Sequence, residues 1–294
     1  MEQIAIDIAG LTKSYDRKQV LQGVDLRVPR GAVVGLMGMN GSGKSTLIKC
    51  LLGLVRPDGG SARLLGDDAR NLSPEVKGRL GYVPQVVHQL DWMKVRHLIQ
   101  YTSTFYPNWD DRWVTELVER WRVPLDQRVQ ALSTGQLQTL AIVLALGHRP
   151  DLMVLDEPVA SLDPVARRDF LRSILELARD GNRTVLFSTH ISSDLERVAT
   201  HVAILHAGRI ASYSELDELK DRVKRLRVRA LEDLPYELEI PGLLTSKVEG
   251  RSALATVSTV TPELLDDLAD RYQAEVRVED LNLEEIFVEL NGHG

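Results

Sequence analysis

Residues 31–54 read GAVVGLMGMNGSGKSTLIKCLLGL, and no other segment constrains the architecture of this chain as strongly. The apolar run 31–37 is typical of a buried strand, and residues 45–54 have the apolar spacing of a helix. Between them, residues 38–46 fit the pattern G-x-x-x-x-G-K-[ST]. The segment therefore predicts a strand, a glycine-rich loop and a helix in direct succession.

A loop of this kind captures anions. Its successive backbone N–H groups and the N-terminus of the following helix surround a phosphate, and glycine lets the backbone approach closely. We expect Lys44 to reach the β- and γ-phosphates of a nucleotide and Ser45 to ligate Mg²⁺. The alternative is a glycine turn before an ordinary helix, but a strand before the loop and a helix after it favour phosphate binding. The residues predicted to line the loop are Gly38, Asn40, Gly41, Ser42, Gly43, Lys44, Ser45 and Thr46.

Two adjacent acids follow a second apolar run. Leu152–Asp156 reads LMVLD, and Glu157 comes directly after it. A phosphate loop needs a carboxylate at the end of a nearby strand to organise Mg²⁺. Asp156 is therefore predicted to hold the metal through water, and Glu157 to polarise an attacking water molecule. The alternative is an acidic strand end at the surface.

The remaining apolar runs indicate the fold class. Runs at 184–190 and 202–208 are separated by segments with helical spacing, as is the run at 152–156. Continuous apolar strands that alternate with helices favour a parallel sheet covered on both faces. The chain opens with strand-like stretches at 4–8 and 24–28, and we expect a turn between them.

Two further regions differ from this pattern. Residues 71–147 read as mostly helical, with Asn108 as the N-cap of one helix. Residues 226–294 combine short strand patterns with a helix over Pro262–Tyr272, which predicts a small, separate α+β domain. The basic run KDRVKRLRVR at 220–229 is either a solvated strand face or a contact for anionic lipid headgroups.

The composition excludes several classes of protein. Apolar residues make up 44% of the 294 positions and charged residues 27%, which argues against wholesale disorder. Residues 226–294 hold 6 basic and 15 acidic residues, net −9, which leaves 30 basic and 27 acidic residues, net +3, in residues 1–225. This balance is not that of a polycation that binds nucleic acid. A single cysteine excludes an intramolecular disulfide.

No part of the sequence is expected to enter a membrane. The first ten residues, MEQIAIDIAG, have no basic region of the kind that starts a secretion signal. The longest apolar run, 140–146, has 7 residues, whereas about 20 are needed to span a bilayer.

Five further motifs occur in order along the chain. Tyr15 precedes the phosphate loop, and Gln85 follows it within YVPQ. Residues 132–136 read LSTGQ, 161–164 read SLDP, and His190 ends the run STH. Together with the phosphate loop and the acids after residue 155, these motifs resemble those of the ATP-binding subunit of an ABC transporter over residues 1–225.

The resemblance implies a fold and a role for each position. The fold would be an α/β P-loop NTPase of ABC type: a mainly parallel core sheet, an N-terminal antiparallel β part, a helical subdomain at about 86–147, and the C-terminal domain besides. Tyr15 would stack against adenine, Gln85 would contact Mg²⁺ or water, and His190 would donate a hydrogen bond to the γ-phosphate. The further positions that it assigns to nucleotide binding are Ser133, Gly135, Gln136 and Asp163.

The resemblance also implies an assembly. One chain has one phosphate loop and one LSTGQ segment, hence two half-sites and no complete site. Two chains, identical or paralogous, would pack head to tail and trap two ATP molecules with Mg²⁺. ATP hydrolysis would then drive a separate integral membrane permease, with this chain in the cytoplasm at the inner face of the cell membrane. No nucleic acid partner is expected.

Two positions depart from the family pattern. Thr134 replaces the glycine usual at the third position of the LSTGQ segment, and it places a β-branched side chain near the expected dimer interface. Thr139 stands where the family often has arginine, so no charge contact is inferred there. Because Lys44, Asp156, Glu157 and His190 are all present, we still expect a competent ATPase site.

The subtype is indicated by two segments. Residues 101–111 and 281–290 resemble those of bacterial subunits that serve a separate permease chain, commonly exporters of drugs or peptides. Two other functions are alternatives: a soluble ABC-type ATPase acting on ribosomes or DNA, and a regulatory module that binds ATP with little turnover. Neither the paired ATP-binding domains nor the long insertions of such soluble relatives are visible here.

An aromatic stripe is predicted in the helical region, at residues 109–121. Four apolar side chains recur every four residues, which indicates one side of a helix. The stripe is either core packing of the helical subdomain or, with Trp92 and Met93, part of a groove for a permease helix. Its members are Trp109, Trp113, Leu117 and Trp121.

Overall fold

The computed structural model describes residues 3–87, 90–160, 162–178 and 181–291. The chain divides into two compact units. The first unit consists of the residues up to His190 together with Arg197–Tyr213, and the second of Ile191–Glu196 together with the residues from Ser214 onward. The domain boundary expected at 225/226 stays a prediction.

The secondary structure follows in chain order. The strands are β1 (Ile4–Tyr15), β2 (Lys18–Pro29), β3 (Val33–Met37), β4 (Gly59–Leu64), β5 (Asp67–Asp68), β6 (Leu80–Val83), β7 (Leu152–Asp156), β8 (Thr184–Thr189), β9 (His201–His206), β10 (Arg209–Glu215), β11 (Lys224–Ala230), β12 (Leu243–Glu249), β13 (Ser252–Val257) and β14 (Ala274–Asp280). The α-helices are α1 (Lys44–Leu51), α2 (Pro74–Lys77), α3 (Val95–Ser103), α4 (Asp111–Arg120), α5 (Thr134–Leu146), α6 (Pro164–Ala178), α7 (Ser192–Val198), α8 (Leu216–Arg222), α9 (Pro262–Tyr272) and α10 (Leu283–Asn291).

The expected parallel sheet is present. Six strands pair in the order β10-β9-β3-β8-β7-β6, and the pairs β3–β8, β3–β9, β7–β8 and β6–β7 are parallel. All residues of β3, β7 and β8 are buried, as their continuous apolar sequences predict. Helix α1 buries Leu47, Ile48 and Leu51 in the same apolar cluster as Leu36 of β3.

The turn expected between residues 8 and 24 is present but much shorter than predicted, because most of these residues belong to strands. β1 and β2 form one long antiparallel hairpin whose loop is only Asp16 and Arg17, and β1 also pairs with β4. The pairing shifts register between Ile8 and Leu11 and again between Lys13 and Ser14. Such bulges break the two-residue alternation that marks a strand in sequence, so the middle of the hairpin does not read as one.

The middle of the chain needs two corrections. Residues 71–147 contain α2, α3, α4 and α5, but they also contain strand β6. The N-cap of α4 is Asp110 and not Asn108, because the Asp110 carboxylate accepts a hydrogen bond from Trp113 N at 2.9 Å. Trp113 and Leu117 of the aromatic stripe are buried, so these two residues contribute to core packing.

The second unit is built on a four-stranded antiparallel sheet of order β12-β13-β11-β14. Helix α9 spans Pro262–Tyr272 as predicted, and Leu268 of this helix is buried with Leu226 and Val228 of β11. Strand β12 and helix α10 were not predicted. In the parts of the chain that the structure describes, no helix is long and apolar enough to cross a membrane.

A buried histidine lies behind β6. The side chain of His148 is 3% exposed; its Nε2 lies 2.9 Å from the Leu80 carbonyl oxygen, and its ring stacks on Tyr106 with centroids 3.9 Å apart. Burial lowers the pKa of His148, and the hydrogen bond to Leu80 opposes this effect only in part. The folded chain therefore favours the neutral imidazole.

This histidine makes stability depend on pH. Below the unfolded pKa of about 6.5, the unfolded chain binds a proton that the folded chain resists, so the free energy of unfolding falls as the pH drops through 6.5. Urea titrations at pH 7.5 and 5.5 are expected to show a larger loss for the native sequence than for His148→Gln, which cannot titrate. His97→Gln, at an exposed position, is the control and is expected to keep the native loss. Equal losses in native and His148→Gln chains would contradict the assignment.

Candidate nucleotide-binding site

The register of the parallel sheet brings three segments to one edge. Met37 of β3 pairs with Thr189 of β8, and Asp156 of β7 pairs with Ser188 of β8. The carboxyl ends of these strands therefore coincide, and the next residues are the glycine-rich loop, Glu157 and His190. Ligands in α/β proteins bind at this end of the strands.

The glycine-rich loop leads into α1 without a side-chain cap. Gly43 is the N-cap residue with φ of 109°, and none of the side chains that the structure describes accepts a hydrogen bond from this helix end. A Cβ on Gly38 would lie 2.5 Å from Ser42 Oγ and 2.6 Å from the Leu205 carbonyl oxygen. The first N–H groups of α1 are thus open to an anion, and at Gly38 the loop has no room for a side chain.

The loop also holds a polar atom that lacks a partner. Ser42 Oγ is buried and has no hydrogen-bond partner within the described residues. A buried hydroxyl of this kind costs free energy unless a ligand or water satisfies it. Together with the uncapped helix end, it fits a bound phosphate group.

Lys44 points back across the loop. Its Nζ donates to the carbonyl oxygens of Gly38 at 2.8 Å and Met39 at 3.3 Å, and lies 3.6 Å from Glu157 Oε1. Lys44 and Glu157 are each 6% exposed, so water screens this ion pair only weakly.

A serine that the sequence analysis did not assign joins the two acids. Ser188 Oγ donates to Asp156 Oδ1 at 2.7 Å and accepts from Glu157 N at 2.9 Å. The orientation of a hydroxyl is not readable from sequence; the one available signal was the position of Ser188, two residues before His190 at the end of a buried strand. Ser188 holds one carboxylate oxygen of Asp156 and leaves the other free.

That free oxygen suits a metal. Asp156 Oδ2 is buried without a hydrogen-bond partner in the part of the chain that the structure describes, and α1, which carries Ser45, packs against β7. The Ser45 hydroxyl lies 3.5 Å from Gln85 Oε1. Burial and the negative charge of Asp156 raise the pKa of Tyr82 to about 12. Oxygen donors of this kind, beside an uncompensated carboxylate, are the ligands that Mg²⁺ prefers.

Glu157 and His190 are in direct contact. His190 Nδ1 lies 2.9 Å from Glu157 Oε2, and His190 is exposed whereas Glu157 is buried. Glu157 has a left-handed backbone with φ of 49°, a conformation that non-glycine residues adopt rarely and mostly at functional sites. The carboxylate thus contacts a cation on one side and an imidazole on the other.

Tyr15 is not brought to the glycine-rich loop by any contact of the described residues. It ends β1, is 44% exposed, and has Lys13 Nζ 5.4 Å from its ring centroid. The hairpin itself lies beside the loop, since a Cβ on Gly43 would contact Val20 of β2 at 3.2 Å.

The LSTGQ segment forms a second, separate group. Helix α5 begins at Thr134, with Ser133 as N-cap. Gln136 N donates to Ser133 Oγ at 3.3 Å, and Ser133 N donates to Gln136 Oε1 at 3.0 Å, so the two side chains satisfy each other. Ser133, Gly135, Gln136 and Asp163 line one cavity of about 310 Å³.

The segment 161–164 is described in part, since Ser161 lies outside the described residues. The Asp163 carboxylate accepts hydrogen bonds from Val165 N at 2.9 Å and Ala166 N at 3.0 Å. These bonds cap the start of α6. The carboxylate assigned to nucleotide binding is therefore already engaged by its own helix.

Removal of the Ser188 hydroxyl tests the link between the acids. Ser188→Ala leaves Asp156 Oδ1 and Glu157 N buried without a partner, so we expect the free energy of unfolding to fall by about 1–3 kcal/mol. Ser42→Ala removes a buried hydroxyl that bonds to nothing in the described residues, and its effect is expected to be near zero. Chemical denaturation measures the free energy of unfolding of both variants. Equal changes in this free energy would show that the Ser188 bridge contributes nothing to stability.

Known proteins are similar to this chain in sequence and in fold. A family profile described as "ABC transporter" matches residues 21–160. The ABC transporter ATP-binding protein YtrB of Bacillus subtilis (strain 168) is 28% identical over 96% of this chain and 97% of its own length. The daunorubicin/doxorubicin resistance ATP-binding protein DrrA of Streptomyces peucetius is 30% identical over 98% of this chain and 93% of its own. A solved structure, the ATP-binding subunit of an ABC transporter, matches with a TM-score of 0.68 at 28% identity, over 74% of this chain and 92% of that chain.

Proposed function

This chain belongs to the family of ABC transporter ATP-binding proteins, and on this basis we propose that it hydrolyses ATP to drive a separate membrane permease. The observation that carries the proposal is the contact of Glu157 with both Lys44 and His190 at the edge where the glycine-rich loop lies. A general base, a phosphate-binding cation and a hydrogen-bond donor are the groups that phosphoryl transfer to water requires.

In the proposed complex, different residues bind the adenine ring, the phosphates and Mg²⁺. Tyr15 is assigned to the adenine ring, and the N–H groups of residues 38–46 to the phosphates. Lys44 exchanges its loop carbonyls for the β- and γ-phosphate oxygens. Ser45, Gln85 and Asp156 would hold Mg²⁺, which neutralises charge that builds up on the phosphates.

Hydrolysis then uses Glu157 and His190. Glu157 accepts a proton from water as the water oxygen bonds to the γ-phosphorus, and the bond from that phosphorus to the β–γ bridging oxygen breaks to release ADP. His190 donates a hydrogen bond to the γ-phosphate and holds the water in line. The contact between these two side chains supports their joint role because both are then aimed at one reacting group.

A second ATP-binding chain completes the site. The group around Ser133, Gly135 and Gln136 lines a cavity of its own, and no residue of the glycine-rich loop is among the residues that line it. Head-to-tail pairing of two chains, identical or paralogous, would close one ATP between the loop of one and the LSTGQ segment of the other. Asp163 would act there by fixing the start of α6.

The permease is assigned to exposed apolar side chains of residues 86, 92, 101 and 105. Val86, Trp92 and Phe105 are each more than 60% exposed, and Tyr101 is 46% exposed. The rings of Tyr101 and Phe105 are in contact, with centroids 5.1 Å apart, and exposed apolar side chains of this kind suit a partner helix. We assign the chain to the cytoplasmic face of the cell membrane and, since DrrA is named for drug resistance, the transport to export of a drug, peptide or other small molecule.

The catalytic assignment has a direct test. Glu157→Gln keeps the shape of the base but cannot accept the proton, so we expect kcat for ATP to fall about 10²–10⁴-fold while ATP binding persists. Lys44→Ala is expected to lose tight ATP binding. Glu116→Gln, an exposed acid on α4, is the matched control for turnover. Native turnover in Glu157→Gln would refute the base, and native affinity in Lys44→Ala would refute the loop.

The transport assignment is tested by co-purification. A tagged Glu157→Gln chain, expressed in its native host and extracted from membranes in mild detergent with ATP and Mg²⁺, is expected to recover a multi-span membrane protein in fixed proportion. Adding Trp92→Asp is expected to lower that recovery, whereas adding Tyr236→Asp, a 90% exposed position in the second unit, is not. Recovery of ribosomes or DNA without a membrane protein would overturn transport.

A further inference from the structure

The segment that follows His190 belongs to the second unit. His190 is the last residue of the first unit before the chain passes, at Ile191, into the second unit, which includes the chain as far as Glu196. Helix α7 begins at Ser192, so only Ile191 separates His190 from a rigid helix. A displacement of the start of this helix would therefore move His190 as well, because only one residue lies between them.

Contacts within the second unit hold the first turns of α7. Glu196 Oε1 accepts hydrogen bonds from Leu283 N at 3.0 Å and from Lys220 Nζ at 3.1 Å. Ser192 Oγ donates to Glu284 Oε2 at 3.4 Å. One side chain of α7 thereby binds both the start of α10 and the end of α8.

The start of α10 favours a negatively charged acceptor. Leu283 N is in the first turn of α10, where backbone N–H groups have no partner inside the helix and the dipole favours negative charge. The neighbouring Glu285 N is capped by Asn282 Oδ1 at 2.9 Å, so Glu196 supplies the acceptor that Leu283 N lacks locally. Burial acts to raise the pKa of Glu196, but the hydrogen bonds from Leu283 and Lys220 outweigh it and hold the pKa below its usual value.

We propose that Glu196 is a positioning residue for His190, through which the second unit sets the geometry of ATP hydrolysis. Glu196 contacts no reacting group in this scheme; it ties α7 to α10 and α8, and His190 lies two residues before the start of α7. The inference rests on the proposed function, since His190 must act on the γ-phosphate for its position to matter. It gives the second unit a catalytic influence, which the sequence analysis did not assign.

Steady-state kinetics of the full-length chain tests the inference. Glu196→Ala is expected to lower kcat for ATP by about tenfold or more, because small misplacements of a catalytic group cost that much, while KM for ATP stays within about twofold. Glu196→Gln, which still accepts from Leu283 N, is expected to recover part of the loss. Glu279→Gln is the matched control: it breaks a 2.7 Å ion pair with Arg227 in the same unit and is expected to keep native kcat. A kcat for Glu196→Ala equal to that of Glu279→Gln would overturn the proposal.

Hydrogen exchange supplies a readout that a merely structural role would not move. In Glu157→Gln chains, ATP with Mg²⁺ is expected to change amide exchange in 283–291 when Glu196 is present, and not in the double variant with Glu196→Ala. The same change in amide exchange in the single and the double variant, or no change in either of them, would overturn the proposal. If Glu196→Ala does not fold, Lys220→Met, which removes one of the two donors, replaces it in both measurements. Native turnover in Glu157→Gln refutes the proposed function itself, whereas loss of turnover there with native kcat in Glu196→Ala refutes only the positioning role.

Discussion

A carboxylate removed from water has to meet a cation or hydrogen-bond donors, since an unpaired buried charge is strongly destabilising. Glu157 is 6% exposed and has Lys44 Nζ at 3.6 Å and His190 Nδ1 at 2.9 Å. This requirement joins Glu157 to Lys44, which is more than 100 residues away in sequence, and to His190, which is 33 residues away. It also accounts for the left-handed backbone of Glu157, because such strain persists only where the surroundings fix the residue from several sides.

The elements that place this carboxylate were readable from the sequence for a physical reason. Strands buried on both faces must be apolar at every position, so β7 was predicted residue for residue and β8 to within one residue. The glycine-rich loop has little room for other residues, as the 2.5 Å approach to Gly38 demonstrates, and its pattern is therefore specific. Local sequence constraints of this strength made the glycine-rich loop, the neighbouring strand ends and most of the parallel sheet predictable from the sequence.

The features that escaped prediction depend on contacts between distant residues. The bulged hairpin of β1 and β2 loses its alternation, and half-exposed β12 has little alternation to lose. Apart from its place two residues before His190, Ser188 has no distinguishing feature in sequence, and only the register of β7 against β8 places its hydroxyl between Asp156 and Glu157. Likewise, the pairing of Glu196 with Leu283 spans 87 residues, and no local pattern reports it.

The size of the Glu196 contact decides whether it can influence catalysis. A hydrogen bond to a charged group contributes about 1.5–3 kcal/mol, and Glu196 accepts two, one of them from a backbone N–H that lacks another local acceptor. Coupling free energies between distant sites are typically about 1–3 kcal/mol. A contact of this size is strong enough to bias the position of His190. Reciprocity holds for binding free energies and not for kcat, so an effect of Glu196 on turnover requires no matching effect on ATP affinity.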